Sequence, residues 1–126
     1  MQVAQRSVYI TKVKTIPMNP ILILTNCPSS QEADNIAAAL LEQELAAAAQ
    51  IIGPTTSRYR WQGEVHHQQE WLLVIKTSGH CEAQIKNVIG QLHSYELPGM
   101  LTLDIAGGNE RYLQWIVNNV TAEDRE

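Results

Sequence analysis

The stretch RYRWQGE, Arg58 to Glu64, sets Tyr59 and Trp61 one residue apart and follows them with Gln62-Gly63. On a β-strand, residues i and i+2 point to the same side, so the two rings share a face. A Gly-containing pair after an extended run marks a tight hairpin turn. The chain has no Phe, yet it gathers two of its largest apolar side chains beside this turn. A hairpin that projects from a small sheet with such rings on it calls for a covering surface.

Working outward, Ala49 to Trp61 reads as one long strand. Ile51-Ile52, Thr55-Thr56-Ser57, Tyr59 and Trp61 suit extended backbone, and Gly53-Pro54 marks a bulge, since Pro cannot donate to a ladder. Beyond the turn a second strand runs from Val65 through Trp71-Leu72-Leu73-Val74-Ile75. Those last five residues are apolar on both faces, which predicts a central position in a sheet. Upstream, Ile21 to Leu24 followed by Pro28 is a short buried strand.

Ser29-x-x-Glu32 is a capping box, in which the Ser oxygen takes one free helix N–H and the Glu reaches back to another. It opens a helix over 30–46, with Ala33, Ile36, Ala37, Leu40, Leu41 and Leu45 at helical spacing. Thr77-Ser78 caps a second helix whose stripe is Cys81, Ile85, Val88, Ile89 and Leu92, and which ends before Pro98. Met100 to Ile105 forms a further strand, closed by Gly107-Gly108. Asn109 caps a last helix bearing Tyr112, Leu113, Ile116, Val117 and Val120. The order βαββαβ plus a C-terminal helix predicts an α+β, ferredoxin-like sandwich with a long β2–β3 hairpin. Two helices cover one face of its antiparallel sheet, and the other face is left for a second chain or for water.

The 126 residues fit one domain with one core. Of these, 44% are hydrophobic and 17% charged, and the net charge is −4. The basic residues are scattered, with Arg58/Arg60 as a close pair, which argues against a nucleic-acid partner. No stretch approaches the roughly 18 apolar residues of a membrane helix. Cys27 and Cys81 form no CxxC pair and no disulfide framework, so a reducing, cytoplasmic setting is expected. Residues 1–17 read as an N-terminal arm ahead of a single domain over 18–126, with Met18 a second possible start.

Few residues carry obvious chemistry. His66 and His67 are neighbours on a strand and point to opposite faces, so they cannot chelate one ion. His93-Ser94-Tyr95-Glu96 clusters polar groups and a ring at the end of the second helix. It is either a solvated cap or a site, since loops carry function disproportionately. Cys27 lies at the first strand–helix junction, where a thiol can bind soft metals or simply be buried. Lys76 ends the apolar strand, with Glu70 on the same face at its start. No phosphate loop, HExxH or GxSxG motif is present, and no nucleophile is paired with a base, so no enzyme activity is expected.

Leu45 to Val65 (LAAAAQIIGPTTSRYRWQGEV), then Glu70, Lys76-Thr77, His93-x-Tyr95-Glu96-x-Pro98 and Tyr112-Leu113-x-Trp115, together resemble the CutA family of divalent-cation tolerance proteins, over residues 21–118. The resemblance implies a ferredoxin-like homotrimer in which Tyr59 and Trp61 are buried at the subunit interface. It implies a response to divalent ions, Cu²⁺ among them, with ligands from a first-strand Cys and a His-containing segment. Here His93 matches one His, while its neighbour is Leu92 and the following residue is Ser94. The first-strand Cys of some members falls at Thr25, Cys27 matches others, the LAAC cysteine is Ala48, and Gly99 follows Pro98. These departures leave a weak metal site that uses His93 with Cys27 or Glu96. Two other functions fit the same plan. One is a regulatory trimer similar to the PII proteins, with Lys76, Tyr95, Glu96 and Trp115 lining an intersubunit cleft for a small anion or metabolite. The other is a structural or adaptor trimer without a small ligand.

Overall fold

The computed structural model describes residues 19–122. The expected arm over 1–17 and the start at Met18 lie outside the described residues. The elements are β1 (Pro20–Cys27), α1 (Ser30–Glu42), β2 (Ala48–Trp61), β3 (Glu64–Ser78), a 3-10 turn (Gly79–Cys81), α2 (Glu82–Leu92), β4 (Met100–Asp104) and α3 (Glu110–Asn118). They form one antiparallel sheet in the order β2-β3-β1-β4. β3 is internal, as its apolar run requires, with Ile75 opposite Ile23 of β1 and Val74 opposite Gln50 of β2.

The hairpin that opens the sequence reading is present, with Tyr59 opposite His66 and Trp61 opposite Glu64. Its turn has Gln62 at φ 52° and Gly63 at φ 82°, the two positive angles that match the right-handed twist of the flanking strands. Further down, the register shifts between Ile52 and Thr55. There the backbone passes close to an indole: a Cβ on Gly53 would lie 2.5 Å from Trp71 Cδ1. The bulge is held across the ladder by Thr55 Oγ1, which donates to the Glu70 carbonyl at 2.9 Å.

The core lies between the sheet and the two helices α1 and α2. Ile21, Ile23, Leu73 and Ile75 from the sheet meet Ala33, Ile36, Leu40, Ile85 and Ile89 from the helices, all nearly or fully buried. Each large aliphatic removed from water here contributes about 1.5–3 kcal/mol. Thr25 shares the core face of β1 with Ile23 and Cys27 and is 2% exposed. Its hydroxyl is buried without a hydrogen-bond partner. An orphaned buried hydroxyl destabilises, and Val has nearly the same shape. Thr25→Val is therefore expected to raise the unfolding free energy by about 1 kcal/mol in urea titrations. A loss of stability would show that the hydroxyl is in use.

Three details depart from the sequence reading. First, α1 ends at Glu42, not near 46. Glu44 adopts φ 59°, and the N–H groups of Glu44 and Leu45 bond to the Leu41 and Leu40 carbonyls at 3.0 and 2.9 Å. That is a Schellman cap, with Glu in the place usually given to Gly. Second, β3 runs on through Thr77 and Ser78, so neither caps α2 by its side chain, and Ser78 Oγ instead meets His80 Nδ1 at 3.2 Å.

Third, the second sheet face is only partly bare. α3, capped by Asn109 as expected, packs on β3 and β1. Lys76 Nζ donates to Tyr112 Oη at 2.8 Å. Lys76 sits between the buried Ile75 and Thr77, so it points away from α1 and α2, and α3 must lie on that opposite side. The rest of this face stays open. Ile52, Leu101 and Leu103 are exposed, and their register partners Leu72, Leu24 and Leu22 are half-buried.

Candidate metal centre

Three chain ends converge on one point. Cys27 is the last residue of β1, Glu32 lies in the first turn of α1, and His93 is the C-cap of α2. One ligand atom from each lies within 4.8 Å of the other two. Local structure puts Glu32 there. Ser29 Oγ accepts from the Glu32 N–H at 3.1 Å, which makes the first half of the capping box. The carboxylate turns instead to the Ser94 N–H (3.0 Å), the Ser94 hydroxyl (3.2 Å) and His93 Nδ1 (3.3 Å).

The hydrogen bonds of His93 fix its orientation. Nε2 lies 2.8 Å from the Asn26 carbonyl oxygen. A carbonyl only accepts, so Nε2 carries a proton. Nδ1 lies 3.2 Å from the Tyr95 N–H, which donates to it. Glu32 Oε2 lies 3.3 Å from the same Nδ1, so a cation bound here would take the one Nδ1 lone pair from the Tyr95 N–H and be shared between the ring and the carboxylate. An imidazole whose outer N–H is held by a backbone carbonyl is the usual support of a metal-bound His.

Cys27 supplies the soft ligand. Its thiol is fully buried. Burial pushes its pKa from 9.0 up to about 11, and the negative charges of Glu32 and Glu70 push the same way. Those charges would be offset by a cation bound among them, and coordination deprotonates a thiol outright. One S, one N and one O donor suit Cu²⁺ or Zn²⁺ better than Mg²⁺ or Ca²⁺. Three protein ligands leave a further position open.

A cleft of about 670 Å³ adjoins this centre, lined in part by Tyr59, Trp61, Gln68, Glu70, Tyr95 and Glu96. Tyr95 links the two, its ring centroid 4.8 Å from that of His93. Its hydroxyl donates to Glu70 Oε2 at 2.6 Å. Burial raises the Tyr95 pKa well above the usual tyrosine value, and the hydrogen bond to Glu70 adds to this.

Of the expected metal ligands, Cys27 and His93 come together, while Glu96 is exposed on the cleft wall and Glu32 takes the carboxylate place. Of the expected cleft residues, Tyr95 lines it. Within one chain Lys76 and Trp115 do not. They flank Tyr112, Lys76 through its hydrogen bond and Trp115 by stacking at 5.6 Å. Tyr59 and Trp61, expected at a subunit interface, are 38% and 42% exposed in the single chain. Sequence reasoning missed Glu32 and Glu70 as site residues. Glu32 was accounted for as a cap, and Glu70 stands out only as a charge at the start of an otherwise apolar run.

Comparison with known proteins places the chain in a family. The chain is 44% identical over 98 residues to the divalent-cation tolerance protein CutA of Thermus thermophilus, covering 78% of this chain and 95% of that one. It is 35% identical over 100 residues to a CutA homolog of Danio rerio, covering 79% and 67%. Among solved structures, the Thermus thermophilus Cut A1 protein superposes with a TM-score of 0.79 at 42% identity, covering 81% of this chain and 99% of that one. CutA1 from Oryza sativa gives 0.80 at 28% identity, covering 83% and 96%. Residues 21–119 match the family described as CutA1 divalent ion tolerance protein, and the chain belongs to that family.

Proposed function

We propose that this chain is a non-catalytic, cytoplasmic homotrimer that takes up Cu²⁺, or another divalent ion, weakly at Cys27, Glu32 and His93. The carrying observation is the His93 Nδ1–Glu32 Oε2 pair at 3.3 Å with a thiol within reach. A thiol, a carboxylate and an imidazole within 4.8 Å of one another form a donor set suited to a divalent cation. Its weakness follows from Cys27, whose proton is held tightly at neutral pH and must leave when a metal binds. The names of the relatives, which speak of divalent-cation tolerance, point the same way. The alternative of a small anion in a PII-like cleft is less favoured, because the cleft beside the metal centre carries the carboxylates Glu70 and Glu96.

Calorimetric titration of metal-free protein with Cu²⁺ tests the reading. Saturable uptake of one ion per chain is expected. In His93→Ala the affinity should fall by roughly 100-fold or more, beyond what loss of a supporting partner usually does. Circular dichroism should show that the variant is folded. Binding that is absent, or unchanged in His93→Ala, would remove the metal centre as the basis of function.

A further inference from the structure

Glu32 has two places to put its carboxylate. The local one is the N–H of Ser29, which would complete the capping box. The distant one is Ser94, 62 positions along the chain. The structure takes the second. Glu32 Oε2 accepts from the Ser94 N–H at 3.0 Å and from the Ser94 hydroxyl at 3.2 Å. Two donors on one residue outweigh the single N–H of the cap.

Ser94 can offer both because its neighbours are anchored. His93 ends α2, with its N–H on the Ile89 carbonyl at 2.8 Å and its ring on the Asn26 carbonyl. Tyr95 is tied back by its N–H to His93 Nδ1 at 3.2 Å and by its hydroxyl to Glu70. All of these bonds are made within one chain, so none depends on which surface a trimer covers.

The consequence falls on the ligand set. An ionised carboxylate has about four lone-pair sites, so one that accepts twice from Ser94 can still meet an ion. Held there, Glu32 adds an oxygen to the thiol of Cys27 and the imidazole of His93, all within 4.8 Å of one another. Returned to its cap, it would leave sulfur and nitrogen alone. A soft thiolate suits Cu⁺ with or without that oxygen, whereas Zn²⁺ gains a usual ligand from it.

We propose that Ser94 is a positioning residue for the metal centre. It draws Glu32 out of its helix cap and so makes a three-ligand site for a divalent ion in place of a two-ligand site for Cu⁺. The role presupposes the ion at Cys27, Glu32 and His93 proposed above.

Zn²⁺ and Cu⁺ affinities of the full chain, measured by competition with chromogenic chelators (Cu⁺ without oxygen), test it. Ser94→Pro removes both donors, and His93 ahead of it is already extended, at φ −79° and ψ 137°, as a residue before Pro prefers. This variant is expected to weaken Zn²⁺ binding roughly tenfold or more, as Glu32→Ala does, and to change Cu⁺ binding less than about threefold. Combining the two changes should weaken Zn²⁺ no further than Glu32→Ala alone, since the residues act as a unit. Ser94→Ala keeps the N–H, should weaken Zn²⁺ severalfold, and carries the test if Ser94→Pro does not fold. In metal-free protein, NMR should show the Ser94 amide exchanging roughly tenfold faster in Glu32→Ala than in wild type. Zn²⁺ binding that falls in Glu32→Ala but holds in both Ser94 variants would overturn the role of Ser94 and leave the metal centre standing. So would losses that add in the combined variant, Cu⁺ binding that falls as far as Zn²⁺ binding, or Ser94 exchange unchanged in Glu32→Ala. A wild-type chain that binds neither ion would overturn the metal centre and the role of Ser94 together.

Discussion

At pH 8, iodoacetamide is expected to label Cys27 about 100-fold more slowly than a thiol of ordinary pKa. The thiolate is the nucleophile, and each pKa unit changes its population tenfold below the pKa. Cys27 moves from 9.0 to about 11, chiefly because its buried sulfur cannot be charged without losing water. The direction for stability follows from the same shift. The folded state holds the proton more tightly than the unfolded one. Its contribution is fully present below pH 9 and is lost as pH climbs through about 11. Peptide-resolved mass spectrometry from pH 7 to 11 separates Cys27 from Cys81, which is also buried. Fast labelling of Cys27 at pH 8 would show that the thiol is neither buried nor raised.

In the proposed metal centre the same proton competes with the ion. A Cu²⁺ ion at the centre must displace it, so the apparent affinity is expected to rise about tenfold per pH unit above neutrality. Calorimetry in buffers of different ionisation enthalpy counts the proton directly. Cys27→Ser should remove this slope while leaving a weak His93–Glu32 pair for the ion. A slope unchanged in Cys27→Ser would place the proton elsewhere and take the thiol out of the ligand set.

What the sequence displays is periodicity, and periodicity was enough for the sheet. The run Trp71–Ile75 reads as a central strand because no face of it is polar, and β3 is indeed internal. Ser29 and Asn109 read as helix caps because their side chains act on residues three positions away. What escaped depends on partners distant in the chain. Glu32 satisfies a local rule as a capping-box residue, yet its carboxylate is drawn 62 positions along the chain to Ser94. The candidate triad of Cys27, Glu32 and His93 therefore includes a residue that a local rule already accounts for. The early end of α1 escaped because Glu44 adopts a left-handed conformation that Glu seldom favours. The position of α3 escaped for a third reason. An apolar stripe says that a helix packs, but not on which face of a sheet, and Tyr112 meeting Lys76 becomes visible only once β3 is placed.

Light scattering is expected to give a mass three times that of the 14.1 kDa chain. The cause is the sheet face that α3 leaves open. Leu101 is 65% exposed, Ile52 51% and Leu103 42%, and Leu22, Leu24 and Leu72 beside them are only half-buried. A continuous apolar surface of this kind is rarely left in water. The rings of Tyr59 and Trp61 extend the demand along the hairpin, and such residues are typical interface anchors. Covering one large side chain is worth about 1.5–3 kcal/mol, and a trimer repeats each burial three times. A charge at the centre of such an interface would be desolvated without a partner. Leu101→Asp combined with Leu103→Asp is therefore expected to reduce the mass to that of a single chain and to lower the thermal midpoint. Circular dichroism should still show the helices, since both side chains lie outside the core between the sheet and α1 and α2. A wild-type mass of one chain would overturn the trimer, since the open face would then be left in water. A double variant that remains trimeric would shift the interface to the hairpin, where Trp61→Asp becomes the disrupting change.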